Sequence, residues 1–308
     1  MKEKSIKIYS AAILYSFIIG LSFLFVKVAL KTTDPLNILA HRFTVSFIVL
    51  SIPILLKYIK INLTREDIVS ILPLSIFYPT LFFAFQSFGL VYISSSEAGI
   101  IQATIPIFTI ILATIFLKEK ASLVQKISLA LSVIGVIYIF VSKGVSFNSN
   151  NFIGIILVVI SALSSACYNI LARKKTKDYR VIDLTYAMIF VGFISFNTLS
   201  LTQRIINGNI NSYFSPFSEP SFLISIFYLG ILSSIVTSFL STYVLSKIEA
   251  SKMSVFNNLG TLITMIAGVI FLNENIYYYH IIGTILIILG VIGTNLKLEK
   301  KNNKNLDE

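Results

Sequence analysis

Apolar residues fall along this chain in long unbroken runs, neither striped at helical spacing nor alternating. Runs almost free of charge occupy about 8–30, 36–56, 68–91, 95–117 and 123–142, then 152–172, 181–202, 221–246, 251–272 and 279–296. A transmembrane helix needs about 20 apolar residues, so each run can cross a bilayer, and most are apolar on every side. Short polar links join most of them, which makes consecutive helices antiparallel neighbours. The longest connection, about 203–220, holds Asn207, Gly208, Asn209, Asn211, Pro216 and Pro220 and reads as irregular loop. The pattern predicts an all-α membrane protein of ten transmembrane helices. Met1 to Lys7 resembles the start of a signal peptide. The run behind it is about twice a usual signal core and no A-x-A site follows, so the first span is expected to be retained.

Composition agrees. Of 308 residues, 56% are hydrophobic and 13% charged, against about 45–50% and about 25% in soluble domains. Such a chain cannot cover itself with polar surface, which argues against disorder, a collagen-like fibre and a soluble enzyme. The single cysteine, Cys167, gives no disulfide framework and no CxxC metal site. His41 and His280 are the only histidines. No metal and no cofactor are therefore expected. The sequence lacks G-x-x-x-x-G-K-[ST], H-E-x-x-H and G-x-S-x-G, so ATP hydrolysis and the commonest hydrolytic chemistries have no support.

The net charge of +11 would suggest nucleic acid in a soluble protein; here it follows from loop lysines. With the N-terminus inside, the cytoplasmic segments hold Lys2, Lys4, Lys7, Lys57, Lys60, Arg65, Lys118, Lys120, Lys126, Arg173, Lys174, Lys175, Lys177, Arg180, Lys247, Lys252, Lys297, Lys300, Lys301 and Lys304. The outer side holds Lys31, Lys143 and Arg204, and only Lys27 and Arg42 lie within spans. This asymmetry puts both termini in the cytoplasm of a multi-pass plasma-membrane protein. Its expected partners are the lipid bilayer and a small-molecule substrate, not nucleic acid; either the substrate gradient or a coupled ion, which the sequence does not name, would drive transport.

The two halves align when shifted by about 155 residues. Phe85 to Ser96 falls on Leu240 to Ser251, Phe116-Leu-Lys-Glu119 on Phe271-Leu-Asn-Glu274, and Gly135 on Gly290. Near the start of each half the shift is about 146, which places Lys27 on Arg173. Five helices per unit reverse the second unit in the membrane, a recurrent build of secondary transporters. The expected units are 1–146 and 147–298, with a cytoplasmic tail at 299–308.

Several residues then resemble a known family. Ser96-Glu-Ala-Gly-Ile-Ile-Gln-Ala-Thr-Ile-Pro106, Phe116-Leu-Lys-Glu119 and Ile134-Gly135 are similar to the EamA-type half of the drug/metabolite transporter superfamily. Lys27 and His41-Arg42-Phe43 fit its first two helices. The resemblance covers about 8–296 and lies in order and spacing rather than in one motif. It implies ten helices as two inverted halves that move amino acids or other small metabolites, often outward. The family often has tryptophan in the first and sixth helices; this chain has none, and Tyr15 and Cys167 stand in those regions.

Polar groups inside a span usually face a cavity or another helix. Gln102 and its repeat partner Asn257, followed by Asn258, sit mid-span, as do Gln86, paired with Ser241, and Asn169 beside Tyr168. Amides offer both donors and an acceptor, which suits a zwitterionic or neutral polar metabolite. Their alternative role is to bond helices together, worth about 0.6 kcal/mol each. Tyr78, between Pro73 and Pro79, is a candidate cavity aromatic. With Pro106 these prolines place the bending in the third and fourth spans. Lys27, Arg42 and Glu97 lie toward outer helix ends. They are expected to form an outer gate or ion pair, or to bind a substrate carboxylate; Glu97 is also a candidate carrier of a coupled proton. Small residues crowding the sixth and eighth spans allow close packing. Glu119 and Glu274, at helix ends, are expected to bond free backbone N–H groups or nearby basic residues. The leading function is a secondary transporter using alternating access around a midplane cavity. The alternatives are a carrier of anionic or phosphorylated sugars and, from another class, an intramembrane enzyme.

Overall fold

The structure, a computed structural model, describes residues 2–118, 122–142, 149–275 and 277–295, and among these every regular element is helical. Glu119 and the tail lie outside the described residues. Helix α1 runs Lys2–Ala29 and α2 Pro35–Leu55. The third segment is α3 (Arg65–Ser75), a π-helical turn Ile76–Leu81 and α4 (Phe82–Tyr92). The fourth is α5 (Ser95–Gln102) and α6 (Ile105–Phe116). Helices α7 (Leu123–Ser142), α8 (Ser149–Lys175) and α9 (Val181–Ile206) follow. Then come α10 (Pro220–Phe227), a second π-helical turn Tyr228–Val236, and α11 (Thr237–Lys247). The chain closes with α12 (Ala250–Leu272) and α13 (Tyr278–Asn295).

Among the described residues, eight segments are long and apolar enough to cross a membrane, from Ile6–Ala29 to Ala250–Leu272. The chain is a multi-pass membrane protein. Helices α7 and α13 stand where the fifth and tenth spans are expected; their apolar stretches Leu123–Gly135 and Tyr278–Gly290 are shorter.

Local sequence explains where helices start. Thr64 and Ser94 each accept from the backbone N–H three residues on, while Asp67 and Glu97 reach back to the cap, closing two capping boxes. Asp34 accepts from Asn37 N at 3.0 Å, and Pro35 supplies a pre-set first turn. Asn273 ends α12 in the left-handed region at φ 54°, a conformation asparagine tolerates.

Close backbone approaches fix the packing. A Cβ on Gly20 would sit 2.6 Å from the Gly260 carbonyl oxygen, and Thr264 Oγ1 donates to Gly20 O at 2.9 Å. These contacts lock α1 to α12. Gly89 and Gly154 do the same for α4 and α8. Helix α2 lies along α9, and α7 along α13. Helix α2 also leans on the π turn Tyr228–Val236, and α9 on the π turn Ile76–Leu81.

The break at Ala103–Thr104 ahead of Pro106 and the π turn holding Pro79 sit where prolines place them. The second π turn does not: Tyr228–Val236 contains no proline. Its freed carbonyl at Ser233 accepts from Arg42 Nη2 at 2.7 Å and from Thr237 Oγ1 at 2.8 Å. Irregular helical turns thus occur in the eighth-span segment as well as in the third and fourth, while the non-helical backbone at Tyr78 lies in the third.

The charged ends sort by face. Arg173 Nη1 donates to Leu245 O at 2.8 Å, Lys175 Nζ to Ser70 Oγ, and Arg180 pairs with Asp183 at 2.7 Å. These groups share the face on which α1 begins. On the opposite face Arg204 pairs with Asp34 at 2.7 Å.

Candidate functional site

A small cleft lies between α1, α4, α5–α6 and α12, lined by Gly20, Phe82, Gln102, Asn257, Thr261 and Thr264 among others. Its volume is about 20 Å³, room for about one water. The helix break after Gln102 brings that side chain to the cleft. Gln102 Nε2 donates to Ser161 Oγ at 3.0 Å, which in turn donates to Phe82 O at 2.9 Å. Gln102 Oε1 is buried without a partner. Asn257 differs. Its Oδ1 accepts from Tyr15 OH at 3.1 Å, and its Nδ2 donates to Ser254 O at 3.0 Å. Gln102 and Asn257 therefore meet at one cleft, one keeping a free acceptor and the other with both groups engaged. Asn258, 2% exposed, also keeps an unpartnered Oδ1.

Three tyrosines form a layer beside this cleft. Tyr78, in the first π turn, stacks on Tyr168 at 4.6 Å between ring centroids. The Tyr168 hydroxyl lies 2.7 Å from Ser241 Oγ and 3.1 Å from Thr242 Oγ1. Tyr15 completes the layer. The Tyr78 hydroxyl has no hydrogen-bond partner of regular geometry. Of the three, the sequence singles out only Tyr78; Tyr15 and Tyr168 read there as packing, because a tyrosine in an apolar run gives no other sign, and the hydroxyl-rich segment at Ser241-Thr242 is the available signal for Tyr168. Asn169 stands apart from this layer and bridges α8 to α6 through Thr109 Oγ1 at 3.3 Å.

Arg42 is fully buried. Its Nε donates to Ser234 Oγ at 2.7 Å, and its Nη2 to Ser233 O and Oγ at 2.7 and 2.9 Å. The guanidinium carbon lies 3.7 Å from the Phe83 ring centroid, a cation–π contact worth about 2 kcal/mol when desolvated. Among the described residues, Nη1 has no partner and no carboxylate pairs with Arg42. The structure therefore separates Arg42 from Glu97; its work is to clasp the second π turn.

Gln86 is 0% exposed, and neither its Nε2 nor its Oε1 has a hydrogen-bond partner. Burying such groups unpaired costs about 1–3 kcal/mol each. On α4 it follows Phe82 by one turn and precedes Leu90 by one turn.

A larger cleft of about 540 Å³ opens on the face opposite the basic one, lined by Lys27, Lys31, Asp34, Leu90, Val91 and Glu274 among others. Lys27 is half-buried and, among the described residues, makes no hydrogen bond or ion pair, although it feels the charges of Glu274 and Glu97. Glu274 takes the helix-end role expected of it. Its Oε1 accepts from Ser95 N at 2.9 Å and Ser95 Oγ at 2.8 Å, and its Oε2 from Ser96 N at 3.1 Å and Ser96 Oγ. A carboxylate that follows α12 thus caps α5, across 178 and 179 residues of chain. Glu97 also accepts from Ser94 N at 2.9 Å. Among the described residues, no group of three His, Cys, Asp or Glu side chains is placed to hold a metal.

Comparison with known proteins bears on this arrangement. The model of the EamA-like transporter family matches residues 6–141 and again 152–296. A Bacillus subtilis (strain 168) protein named "Uncharacterized transporter YcxC" is 53% identical over 304 residues, covering 99% of this chain and 97% of its own. An "Uncharacterized transporter" of Archaeoglobus fulgidus is 29% identical, covering 88% of this chain and 92% of its own. A solved structure superposes with TM-score 0.67 at 14% identity, covering 93% of this chain and 96% of its own, a likeness of fold.

Proposed function

The chain belongs to the EamA-like transporter family, and from that premise we propose a secondary carrier of small polar metabolites, amino acids or related zwitterions, that exports by alternating access around the central cleft. The layout assigned is ten helices in two inverted five-helix halves, 1–146 and 147–298, with the tail 299–308 and both termini in the cytoplasm of a cell whose plasma membrane holds the protein. The basic face is then internal and the 540 Å³ cleft faces outward.

The observation that carries this reading is the exchange of partners between halves. Helix α2 leans on the second π turn while α9 leans on the first; α1 packs on α12 while α8 packs on α5 and α6. Two inverted units interlocked about an axis in the membrane plane pack in this reciprocal way, with substrate at their interface. The central cleft sits among α1, α5–α6 and α12, and its narrowness suits an occluded state. Gln102, Asn257, Asn258, Gln86, Tyr78 and Asn169 remain the candidate substrate contacts. Amides and hydroxyls around the cleft favour a neutral or zwitterionic solute over a phosphorylated sugar, which would need several free cations there.

Counterflow in proteoliposomes tests this directly, using labelled amino acids, purines and sugar phosphates. Saturable exchange of an amino acid is expected. No exchange by folded protein across the panel would overturn the reading, and product formation would reveal an enzyme. A reporter fused after Glu308 is expected on the cytoplasmic side; an external signal would overturn the orientation.

A further inference from the structure

The two clefts are separated by about one helical turn on α1 and about two on α4. On α1, Phe23 lines the central cleft and Lys27, four residues on, lines the outer one. On α4, Phe82 lines the central cleft and Leu90 the outer one. Gln86 falls midway between Phe82 and Leu90 on that stripe. The partition between the clefts therefore contains one fully buried amide whose donors and acceptor are all unengaged. Above it stands the Lys27 ammonium, which has no hydrogen bond or ion pair among the described residues.

The nearby carboxylates do not neutralise Lys27 by contact. Glu274 is committed to four donors of Ser95 and Ser96, and Asp34 to Arg204 at 2.7 Å. Lys31 adds a second cation to the lining. Arg42, the other candidate for a substrate anion, is taken up by Ser233, Ser234 and Phe83. A cleft of about 540 Å³ lies within the range of small-molecule sites, about 300–1,000 Å³.

We propose that the outer cleft is a second substrate site, distinct from the central one, where Lys27 binds the carboxylate of an amino-acid-like solute and Gln86 receives its polar remainder for passage across the partition. The proposal deepens the carrier reading by fixing the substrate class as carboxylate-bearing. The ammonium supplies the charge; the amide, able to donate and accept, matches either the amino group or a polar side chain. Glu274 and Glu97 disfavour a second negative charge, which selects a zwitterion over a dianion.

Val91 lines the same cleft and is half-exposed, so Val91→Cys in a Cys167→Ala background reports on it without transport. Its labelling rate is measured with two methanethiosulfonate reagents of similar size, one bearing a sulfonate and one an ammonium. The sulfonate is expected to react about tenfold faster, the lower end of charge focusing in clefts, and the ratio to fall toward one with Lys27→Gln but not Lys27→Arg. A mixture of the common amino acids is expected to slow sulfonate labelling, and their carboxamides to leave it unchanged. Equal rates with the two reagents, an unaltered ratio in Lys27→Gln, or equal protection by acids and amides would overturn the proposal. These readouts do not depend on counterflow, so a failed carrier and a failed outer site are told apart.

Discussion

Replacing Gln86 with leucine should move stability and activity in opposite directions. The native amide is 0% exposed with both polar atoms unpartnered. Each such group costs about 1–3 kcal/mol. Leucine fills similar space, keeps α4 helical and carries no polar atom. Relief of two unpaired groups, less imperfect repacking, gives an expected gain of about 2 kcal/mol. At about 2–4 °C per kcal/mol for domains of 150–250 residues, and less for a longer chain, the apparent Tm should rise by a few degrees. The assay is thermal denaturation of purified protein in nanodiscs, without substrate, beside amino-acid counterflow of the same preparation. Exchange should fall at least about tenfold, on the order of 1.4 kcal/mol of lost interaction. A lower Tm would mean that the amide is satisfied in the folded protein, and unchanged exchange would mean that it does not meet substrate; either result refutes the reasoning.

The repeat-related amides should behave unequally. Gln102→Leu and Asn257→Leu should both lower exchange while leaving folded yield unchanged, but Asn257→Leu also strands the Tyr15 hydroxyl, so its Tm should fall by about 1 kcal/mol equivalent; identical Tm shifts would contradict the assigned bonds. Glu274→Ala removes the acceptor of four donors on Ser95 and Ser96. A loss of about 2–4 kcal/mol is expected, with faster amide exchange across Ser95–Gln102, and wild-type protection there would refute the cap. Gly20→Val places carbon 2.6 Å from Gly260 O and 2.8 Å from Ile263 Cβ. It should cost about 1–3 kcal/mol by forcing α1 from α12, read as a lower Tm; an unaltered Tm would refute the close approach.

Much of this is legible in the sequence. Run length and composition located the eight segments long enough to span, because lipid forces every spanning backbone into self-satisfied hydrogen bonds. The break before Pro106 and the helix-end role of Glu274 followed from local rules. What escaped the sequence depends on distant pairs. The second π turn has no proline, and its carbonyl is held by Arg42, 191 residues away in the chain. The same bond explains why Arg42 does not join Glu97, which proximity of helix ends had suggested. Tyr15 and Tyr168 join the polar layer only through the Asn257 amide oxygen on α12 and the Ser241 hydroxyl on α11. The serines read as spacers turn out to be ligands: Ser161 holds Gln102, and Ser233 and Ser234 hold Arg42.

The central claim is that one cleft opens in turn to each side of the membrane. Ile105 lines that cleft and is 2% exposed. Ile105→Cys, in a Cys167→Ala background, should therefore be labelled by a membrane-impermeant maleimide added to either face of oriented vesicles. Saturating amino acid on one side should shift which face labels faster. Labelling from a single face, whatever the substrate gradient, would contradict the account.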